Sequence, residues 1–292
     1  MRVSILGCGY VGLELGRRLR ARGHEVVGVR RSIEGCEAIE EAGLDAVRAD
    51  VIDPEALSRV PDSDALVFAA SSGGRGAEEA REVYVEGLRT VIEDYSARER
   101  SPDRLIYTSS TGVYGDHDGG WVDEETQIEP TTEKTHVLAE AERVALESAI
   151  DGTVARFAGL YGPERYRLER YLEGPVTEGY LNMVHRDDAA GAVRYLLEEG
   201  LARGEVVLVS DDEPAEKWAF ADWLAEQCGV EEPPKRTKEE RLTEGDLSEA
   251  ARRRVLTSKR CSNAKLRELG YEFEYPTFRE GYREAVEAYR GR

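Results

Sequence analysis

The chain has 292 residues with 59 acidic and 40 basic side chains, a formal net charge of −19 and an isoelectric point near 4.8. This charge repels phosphates and excludes a nucleic-acid-binding protein. The four cysteines are scattered without a C-x-x-C pair, which argues against a metal cluster. No apolar stretch approaches the roughly 18 residues that cross a membrane, and a strand beginning at residue 2 leaves no signal peptide, so we expect a cytoplasmic protein.

The basic residues are strongly biased towards arginine. Only six of the 40 are lysines, and the acidic excess is spread along the whole chain. This resembles the composition of salt-adapted archaeal proteins, because at about 1 M salt the Debye length falls to about 3 Å and acidic groups no longer repel one another strongly. The alternative is an acidic protein from a GC-rich organism without salt adaptation.

The first thirty residues predict a dinucleotide-binding unit: a strand over 2–6, a helix over 10–22 and a strand over 25–29. Gly7 permits a tight turn, Gly9 lets the backbone approach a pyrophosphate, and Gly12 allows close packing of the helix on the strand. The amide end of the helix favours an anion. The predicted cofactor contacts in this turn spell G-x-G-x-x-G: Gly7, Cys8, Gly9, Tyr10, Val11 and Gly12. The alternative is a glycine-rich turn that binds nothing.

The residues after the second strand select the cofactor. An NAD site places Asp or Glu there to bond the ribose 2′-hydroxyl, whereas this chain has Arg30, Arg31 and Ser32. Two guanidinium groups suit a 2′-phosphate. The sequence therefore favours NADP, with NAD as the second possibility.

Alternating elements continue through the first half of the chain. They are a helix over 33–42, a strand over 45–49, a short helix over 54–57, a strand over 64–70, a helix over 78–96 and a strand over 104–108. This order predicts an α/β fold, a Rossmann doubly wound parallel sheet, whose ligands bind beyond the carboxyl ends of the strands. Five further cofactor contacts are predicted at that edge: Asp50, Val51, Ala69, Ala70 and Ser71.

The second half is less regular. We predict a loop over 116–132 that Trp121 packs, a helix from a Thr131 or Thr132 cap to about 150, and a strand over 153–157. Next come a helix over 189–199 capped by Asp187 or Asp188, a strand over 205–209 and a helix over 214–228. We predict an exposed, partly mobile segment over 231–260 and a short helix over 263–269, and residues 277–289 close the chain. The NAD(P)-binding domain is predicted over 1–160. Residues 161–292 form mainly a smaller substrate lobe, with some segments returning to the first domain.

Three stretches carry a resemblance to a known family: LIYTSSTGVYG (105–115), ARFAGLYGP (155–163) and NMVHRDDAAGAV (182–193). They resemble the extended short-chain dehydrogenase/reductases, the NAD(P)-dependent epimerase/dehydratase-like proteins, in the atypical branch whose first turn reads GCGYVG. The resemblance implies an oxidoreductase or epimerase acting on a sugar-like or nucleotide-linked small molecule, as a monomer or homodimer.

The resemblance also implies a Ser–Tyr–Lys arrangement, in which the Ser110 hydroxyl orients a substrate oxygen. The Tyr-x-x-x-Lys motif expected on the next helix is absent from the run PTTEKTHVLAEAE. If Ala139–Glu140 is aligned with the Ala-Glu pair of the family, Thr132 takes the Tyr position and His136 the Lys position. If Ala141–Glu142 is aligned instead, those positions hold Lys134 and Leu138. Neither pair combines a phenol with an ammonium group, so the usual proton donor is missing.

His136 is a candidate replacement, since imidazole titrates near neutral pH, and the alternative is an ordinary helix residue. Tyr114 is a further catalytic candidate, although in the family that position, like Tyr161, mostly packs or lines the pocket. His185 and Asp188 match a segment that braces the substrate lobe, and the run 116–118 (DHD) is read as a solvated loop, so no metal site is predicted. The missing motif favours one rival hypothesis, a catalytically silent NADP-binding sensor or interaction protein.

Overall fold

The chain folds into two compact units, which we call unit 1 and unit 2. The computed structural model describes residues 1–73, 76–243, 245 and 247–291. Unit 1 comprises residues 1–113, 132–157 and 189–207, and unit 2 comprises 114–131, 158–188 and 208–292. The second segment of unit 1 therefore ends three residues before the predicted boundary, and one later segment returns to unit 1.

Seven parallel strands form the central sheet. They are β1 Arg2–Leu6, β2 Glu25–Arg30, β3 Asp45–Arg48, β4 Ala65–Phe68, β5 Arg104–Ser110, β6 Gly152–Phe157 and β7 Val206–Val209. Their order is β7-β6-β5-β4-β1-β2-β3. Every residue of β4 and β6 is buried, as expected for strands covered on both faces. The predicted Rossmann doubly wound sheet is confirmed.

Helices separate the strands of this sheet. They are α1 Tyr10–Ala21, α2 Ile33–Glu41, α3 Pro54–Leu57, α4 Ala77–Arg81, α5 Gly87–Ser96, α6 Glu133–Leu146 and α7 Arg186–Glu198. A π-helical turn, Glu82–Glu86, joins α4 to α5, where the sequence predicts one continuous helix.

The N-terminal ends of α6 and α7 can be compared with the predicted helix caps. Thr132, and not Thr131, caps α6, because its side chain accepts a hydrogen bond from the Thr135 amide at 3.2 Å. The predicted cap of α7 at Asp187 or Asp188 is wrong. That helix already begins at Arg186, and both aspartates lie in its first turn, where acidic groups suit the helix dipole.

Unit 2 consists of short elements around an aromatic core that includes Phe220, Phe278 and Tyr282. Its strands are Trp121–Val122, Gly159–Tyr161, Val176–Thr177, Tyr180–Leu181, Met183–His185, Ala215–Glu216, Lys235–Arg236 and Arg260–Cys261. Its helices are Leu168–Glu173, Lys217–Cys228, Lys238–Thr243, Glu249–Leu256, Ala264–Glu268, Phe278–Gly281 and Arg283–Arg290. A 3₁₀ turn, Thr111–Tyr114, follows β5.

The segment 231–260, predicted to be exposed and partly mobile, contains a strand and two helices that the sequence did not predict. Most of its described residues are exposed or half-buried, and its mobility stays a prediction; residues 244 and 246 lie outside the described residues. One prediction for unit 2 is wrong. Trp121 does not pack inside the loop, because 57 % of it is exposed. Its strand, Trp121–Val122, instead pairs in parallel with Arg260–Cys261.

Across the described ranges, none of the helices combines the length and the apolarity needed to cross a membrane.

Candidate functional site

The glycine turn after β1 is held by backbone hydrogen bonds. The amides of Gly7 and Cys8 both donate to the Val29 carbonyl, at 3.0 and 3.1 Å. Gly7 has φ +87°, and a Cβ added to it would lie 2.2 Å from the Cα of Ala70. No side chain fits there without moving the chain that follows β4, so the turn requires glycine.

The other two glycines bring neighbouring groups close to the turn. A Cβ on Gly12 would lie 3.0 Å from Ile5 Cγ2, so the missing side chain lets α1 approach β1. A Cβ on Gly9 would lie 2.6 Å from Nη1 of Arg30, which places that guanidinium against the turn. Gly9 also precedes α1 and has no side chain to cap it. The amide end of α1 thus has no side-chain cap from Gly9, and its dipole favours an anion.

The remaining members of the motif have packing roles. The Cys8 side chain is buried, and this burial raises the pKa of its thiol to about 12, against the opposing charges of Arg30 and Arg17. The thiol is therefore protonated and unreactive at neutral pH. Val11 is buried and Tyr10 half-buried in the first turn of α1.

A cavity of about 740 Å³ opens beside the ends of β2 and β3. It is lined by Arg31, Ser32, Ile33, Glu34, Arg48, Ala49, Asp50, Asp53, Ala56 and Arg59. The structure thus brings three predicted cofactor residues, Arg31, Ser32 and Asp50, to one cavity. Ser32 caps α2 by accepting a hydrogen bond from the Gly35 amide at 3.1 Å.

The charges of this cavity are unevenly compensated. In the described ranges, no carboxylate forms an ion pair with Arg31, Arg48 or Arg59. Among the same residues, the only hydrogen bond that these three side chains donate goes from Arg48 Nε to the Arg31 carbonyl, at 3.1 Å. The Asp53 carboxylate accepts two backbone amides at the start of α3, at 3.0 and 3.2 Å. Asp50 accepts the Ile52 amide at 3.4 Å. The cavity therefore presents three guanidinium groups to an anion.

The predicted contacts around the end of β4 lie on the same edge of the sheet. Ala69 continues the ladder by donating its amide to the Leu6 carbonyl at 2.8 Å, and Ala70 packs against Gly7. The Ser71 hydroxyl accepts the Gly73 amide at 3.3 Å. Val51 is buried against Gly87, where an added Cβ would lie 2.8 Å away. Cofactor binding by these residues stays a prediction.

Two of the catalytic candidates belong to unit 1. Ser110 is the last residue of β5, and its half-buried hydroxyl accepts the Gly112 amide at 3.2 Å. His136 lies on α6 with its side chain exposed. Within the described ranges, no residue hydrogen-bonds its ring. This exposure favours the alternative that His136 is an ordinary helix residue.

The two tyrosine candidates belong to unit 2. Tyr114 is fully buried, and its hydroxyl donates to the Asp123 carbonyl at 2.6 Å. Tyr161 stacks on Tyr282 with ring centroids 5.0 Å apart, and burial together with Asp211 raises the pKa of its phenol. Both arrangements favour the packing role over catalysis.

The segment with His185 and Asp188 ties elements of unit 2 together. The Asp188 carboxylate accepts the Tyr271 hydroxyl at 2.9 Å and the Glu274 and Tyr275 amides, both at 2.8 Å. In the loop at 116–118, the Asp116 carboxylate accepts the Ser258 amide at 2.7 Å, a structural contact.

Sequence reasoning missed two features of unit 1. Arg48 and Arg59 join Arg31 in the cavity, and a search for basic residues at the carboxyl end of the predicted third strand would have found Arg48. Tyr84 lies in the π-helical turn with its hydroxyl at the end of β4. Nothing in the apolar pattern of 78–96 marks that turn, because a π turn inserts a residue without changing the periodicity strongly.

Comparison with known proteins agrees with this architecture. The pattern of the NAD-dependent epimerase/dehydratase family matches residues 3–222. Protein YeeZ of Escherichia coli is 31 % identical over 286 residues, covering 94 % of this chain and 96 % of YeeZ. A 3-diazoavenalumate denitrifying reductase from Streptomyces is 28 % identical over 310 residues, covering 96 % and 99 %. The structure of a functionally unknown conserved protein from Silicibacter pomeroyi superimposes with a TM-score of 0.80 at 27 % identity, covering 98 % of both chains. The chain therefore belongs to the NAD-dependent epimerase/dehydratase family.

Proposed function

We propose that this protein is an NADP(H)-dependent oxidoreductase that interconverts a carbonyl and a hydroxyl group on a small sugar-like or nucleotide-linked substrate. The dinucleotide lies along the glycine turn and the arginine cavity of unit 1. Ser110, at the end of β5, holds the reacting oxygen.

One observation carries the proposal: the cluster of guanidinium groups beside the end of β2. In a protein with a net charge of −19, Arg31, Arg48 and Arg59 line one cavity without a carboxylate partner in the described ranges. The carboxylates that line the same cavity, Glu34, Asp50 and Asp53, form no ion pair with these arginines in the described ranges, so the guanidinium groups can still bond an incoming anion. A 2′-phosphate fits because it offers several acceptor oxygens to guanidinium forks.

The residues of unit 1 have separable roles in this function. A bound NADP(H) supplies or accepts the hydride. Gly7 and Gly9 let the backbone approach the pyrophosphate, and the α1 amides bond its oxygens. Arg31 and Arg48 hold the 2′-phosphate. The Ser110 hydroxyl, a donor as well as an acceptor, orients the carbonyl oxygen of the substrate.

An exposed aromatic surface in unit 2 supports the substrate class. The Arg260 guanidinium lies 5.1 Å from the ring centroids of both Trp121 and Tyr180, and Trp121 is 57 % exposed. The exposed Trp121 ring and the half-buried Tyr180 ring suit the flat apolar side of a sugar or a base. Arg260 donates from its Nε to the Gly119 carbonyl at 2.6 Å, which fixes the guanidinium beside both rings.

The first test compares the affinities of the protein for NADPH and NADH, measured by calorimetry. We expect tighter binding of NADPH, and Arg31→Ala and Arg48→Ala should each weaken it by about 1–3 kcal/mol while leaving NADH unchanged. Arg100→Ala, which removes a side chain that is 78 % exposed, is the matched control. Equal affinity of the wild type for the two dinucleotides would refute the NADP assignment.

The second test measures turnover. Oxidation of NADPH is followed in the presence of sugar nucleotides and small carbonyl compounds. Consumption of NADPH with at least one of them supports an oxidoreductase. Tight binding of NADPH without turnover across the panel would instead support the silent sensor.

A further inference from the structure

The helical region after β4 contains a local irregularity that the proposed function leaves unused. The π-helical turn Glu82–Glu86 interrupts what would otherwise be one helix, and Tyr84 is its central residue. Helix α6 packs against this turn. A π turn replaces the regular i→i−4 hydrogen bonds of an α-helix by i→i−5 bonds, and such turns occur often at functional sites.

The Tyr84 phenol lies at the carboxyl edge of the sheet. Its oxygen accepts the Ser72 amide and the Ser72 hydroxyl, each at 3.3 Å. Ser72 is fully buried and follows Ala70 by two residues, and Ala70 packs against Gly7 of the dinucleotide turn. The Tyr84 phenol is therefore held beside the segment after β4, which borders the proposed cofactor site. In both contacts the Tyr84 oxygen is the acceptor, so the proton of its hydroxyl can still be donated.

The surroundings of Tyr84 favour its ionised form. Burial raises the pKa of the phenol, but the Ser72 hydroxyl and amide, the Ser71 hydroxyl and the positive charge of Lys134 lower it, and the net pKa is below the usual value. Lys134 lies in the first turn of α6. The buried Tyr107 is a further titratable group near Tyr84, and its pKa is raised by burial, by Glu142 and by Tyr84 itself.

We propose that Tyr84 and Lys134, on two separate elements, replace the Tyr-x-x-x-Lys pair that this chain lacks, with Tyr84 as the proton donor and acceptor. This inference rests on the proposed oxidoreductase function. In the reductive direction the substrate carbonyl is reduced by the hydride that NADPH supplies. The Tyr84 O–H bond breaks, and its proton goes to the carbonyl oxygen as the C=O π bond opens to give the alcohol. The Lys134 ammonium stabilises the phenolate, which then takes up a proton from the solvent, so that each turnover consumes one H⁺.

The first experiment needs neither cofactor nor substrate. Tyrosinate absorbance is followed against pH for the wild type, Tyr84→Phe and Lys134→Met. We expect one tyrosine of the wild type to ionise below the usual pKa of about 10 and to be missing from Tyr84→Phe. Lys134→Met should move that ionisation to higher pH, whereas Lys238→Met, which removes a lysine of unit 2, should not. A wild-type profile without an early tyrosine, or one that Tyr84→Phe leaves unchanged, would overturn the pair.

The second experiment separates this inference from the proposed function. NADPH affinity should stay within about twofold of wild type in Tyr84→Phe, while turnover should fall by about 10²-fold or more, as when a general acid is removed. A wild type that fails to bind NADPH contradicts the proposed function, and the tyrosine titration still decides the pair. Full turnover in Tyr84→Phe refutes Tyr84 as the acid and returns attention to His136, Tyr114 and Tyr161.

Discussion

Two buried carboxylates, one in each unit, are held in opposite ways. Glu142 in unit 1 is 3 % exposed and accepts hydrogen bonds from the Ser109 hydroxyl at 2.6 Å and from Arg156 Nη2 at 2.7 Å. Asp211 in unit 2 is 1 % exposed, yet neither of its oxygens has a hydrogen-bond partner among the described residues. A buried charge is tolerated only when it is paired or neutralised. Glu142 is paired with Arg156, whereas Asp211 has a strongly raised pKa that keeps its carboxyl neutral.

Their surroundings explain the difference. Glu142 joins α6 to β5 and β6, so its charge fixes the helix on the sheet. Asp211 lies close enough to Tyr161 to raise the pKa of that phenol, and the Tyr161 ring is 5.3 Å from that of His185. Tyr161 Oη and His185 Nε2 also have no hydrogen-bond partner within the described ranges. The buried charge of Glu142 thus adds rigidity where it lies in unit 1, whereas the site around Asp211 in unit 2 retains a desolvation cost in three neighbouring polar groups. Unit 1 also retains such a cost at Arg104 and Tyr107, which have buried polar atoms without a partner among the described residues.

The largest expected effect comes from removing the paired carboxylate. Glu142→Ala leaves the Arg156 guanidinium buried without its partner and should lower the free energy of unfolding by about 3–5 kcal/mol, measured by urea denaturation. Glu140→Ala is the matched control on the same helix, because Glu140 pairs with Arg81, whose side chain is 47 % exposed. That exposed pair should contribute about 1 kcal/mol or less. Equal losses in the two variants would contradict the structural role assigned to Glu142.

The sequence predicted most of the strands and helices of unit 1 because they carry local signals. The G-x-G-x-x-G turn, the apolar strand at 65–68 and the Arg30–Arg31 pair all occur in short contiguous runs. The π turn at Tyr84 escaped prediction because the apolar pattern on both sides is that of an ordinary helix.

Unit 2 was predicted poorly for a physical reason. Its strands are two or three residues long and pair with partners far along the chain, as Trp121–Val122 does with Arg260–Cys261. Such pairings have no periodic signal. The isolation of Asp211 is equally invisible in the sequence, since SDDEP (210–214) reads as a solvated acidic turn.

A second prediction uses the pH dependence of His185. Burial lowers the pKa of its imidazole to about 4, although Asp187 opposes this, and its Nδ1 accepts the Asp187 amide at 3.3 Å. Below about pH 6.5 the unfolded chain binds a proton that the folded chain refuses, so His185 lowers stability as the pH falls from about 6.5 to 4. The loss should reach about 3 kcal/mol over that window.

The measurement is the difference in unfolding free energy between wild type and His185→Gln as a function of pH. The difference should change across pH 6.5 to 4 and be flat above it. His136→Gln is the matched control, because its ring is exposed. A wild-type profile identical to that of His185→Gln would show that the buried imidazole does not set this dependence.

The smallest effect, and the one whose sign matters most, is that of Asp211→Asn. Burial raises the pKa of the Asp211 carboxyl well above its usual value, and the Glu213 amide, which lies near the carboxyl without the geometry of a hydrogen bond, opposes this only in part. Above about pH 4 the folded chain keeps a proton that the unfolded chain has released, so wild-type stability declines as the pH rises towards the pKa of the folded state. Asparagine does not ionise, and it should stabilise the protein by about 1–3 kcal/mol at pH 8 and by less at pH 5. Asp188→Asn is the control of opposite sign. Burial also raises the pKa of Asp188, but its carboxylate accepts the Tyr271 hydroxyl and two backbone amides, and an asparagine NH₂ would face one of these donors, so the variant should be less stable than the wild type. If Asp211→Asn destabilises the protein as Asp188→Asn does, Asp211 is a paired structural carboxylate and the contrast with Glu142 disappears.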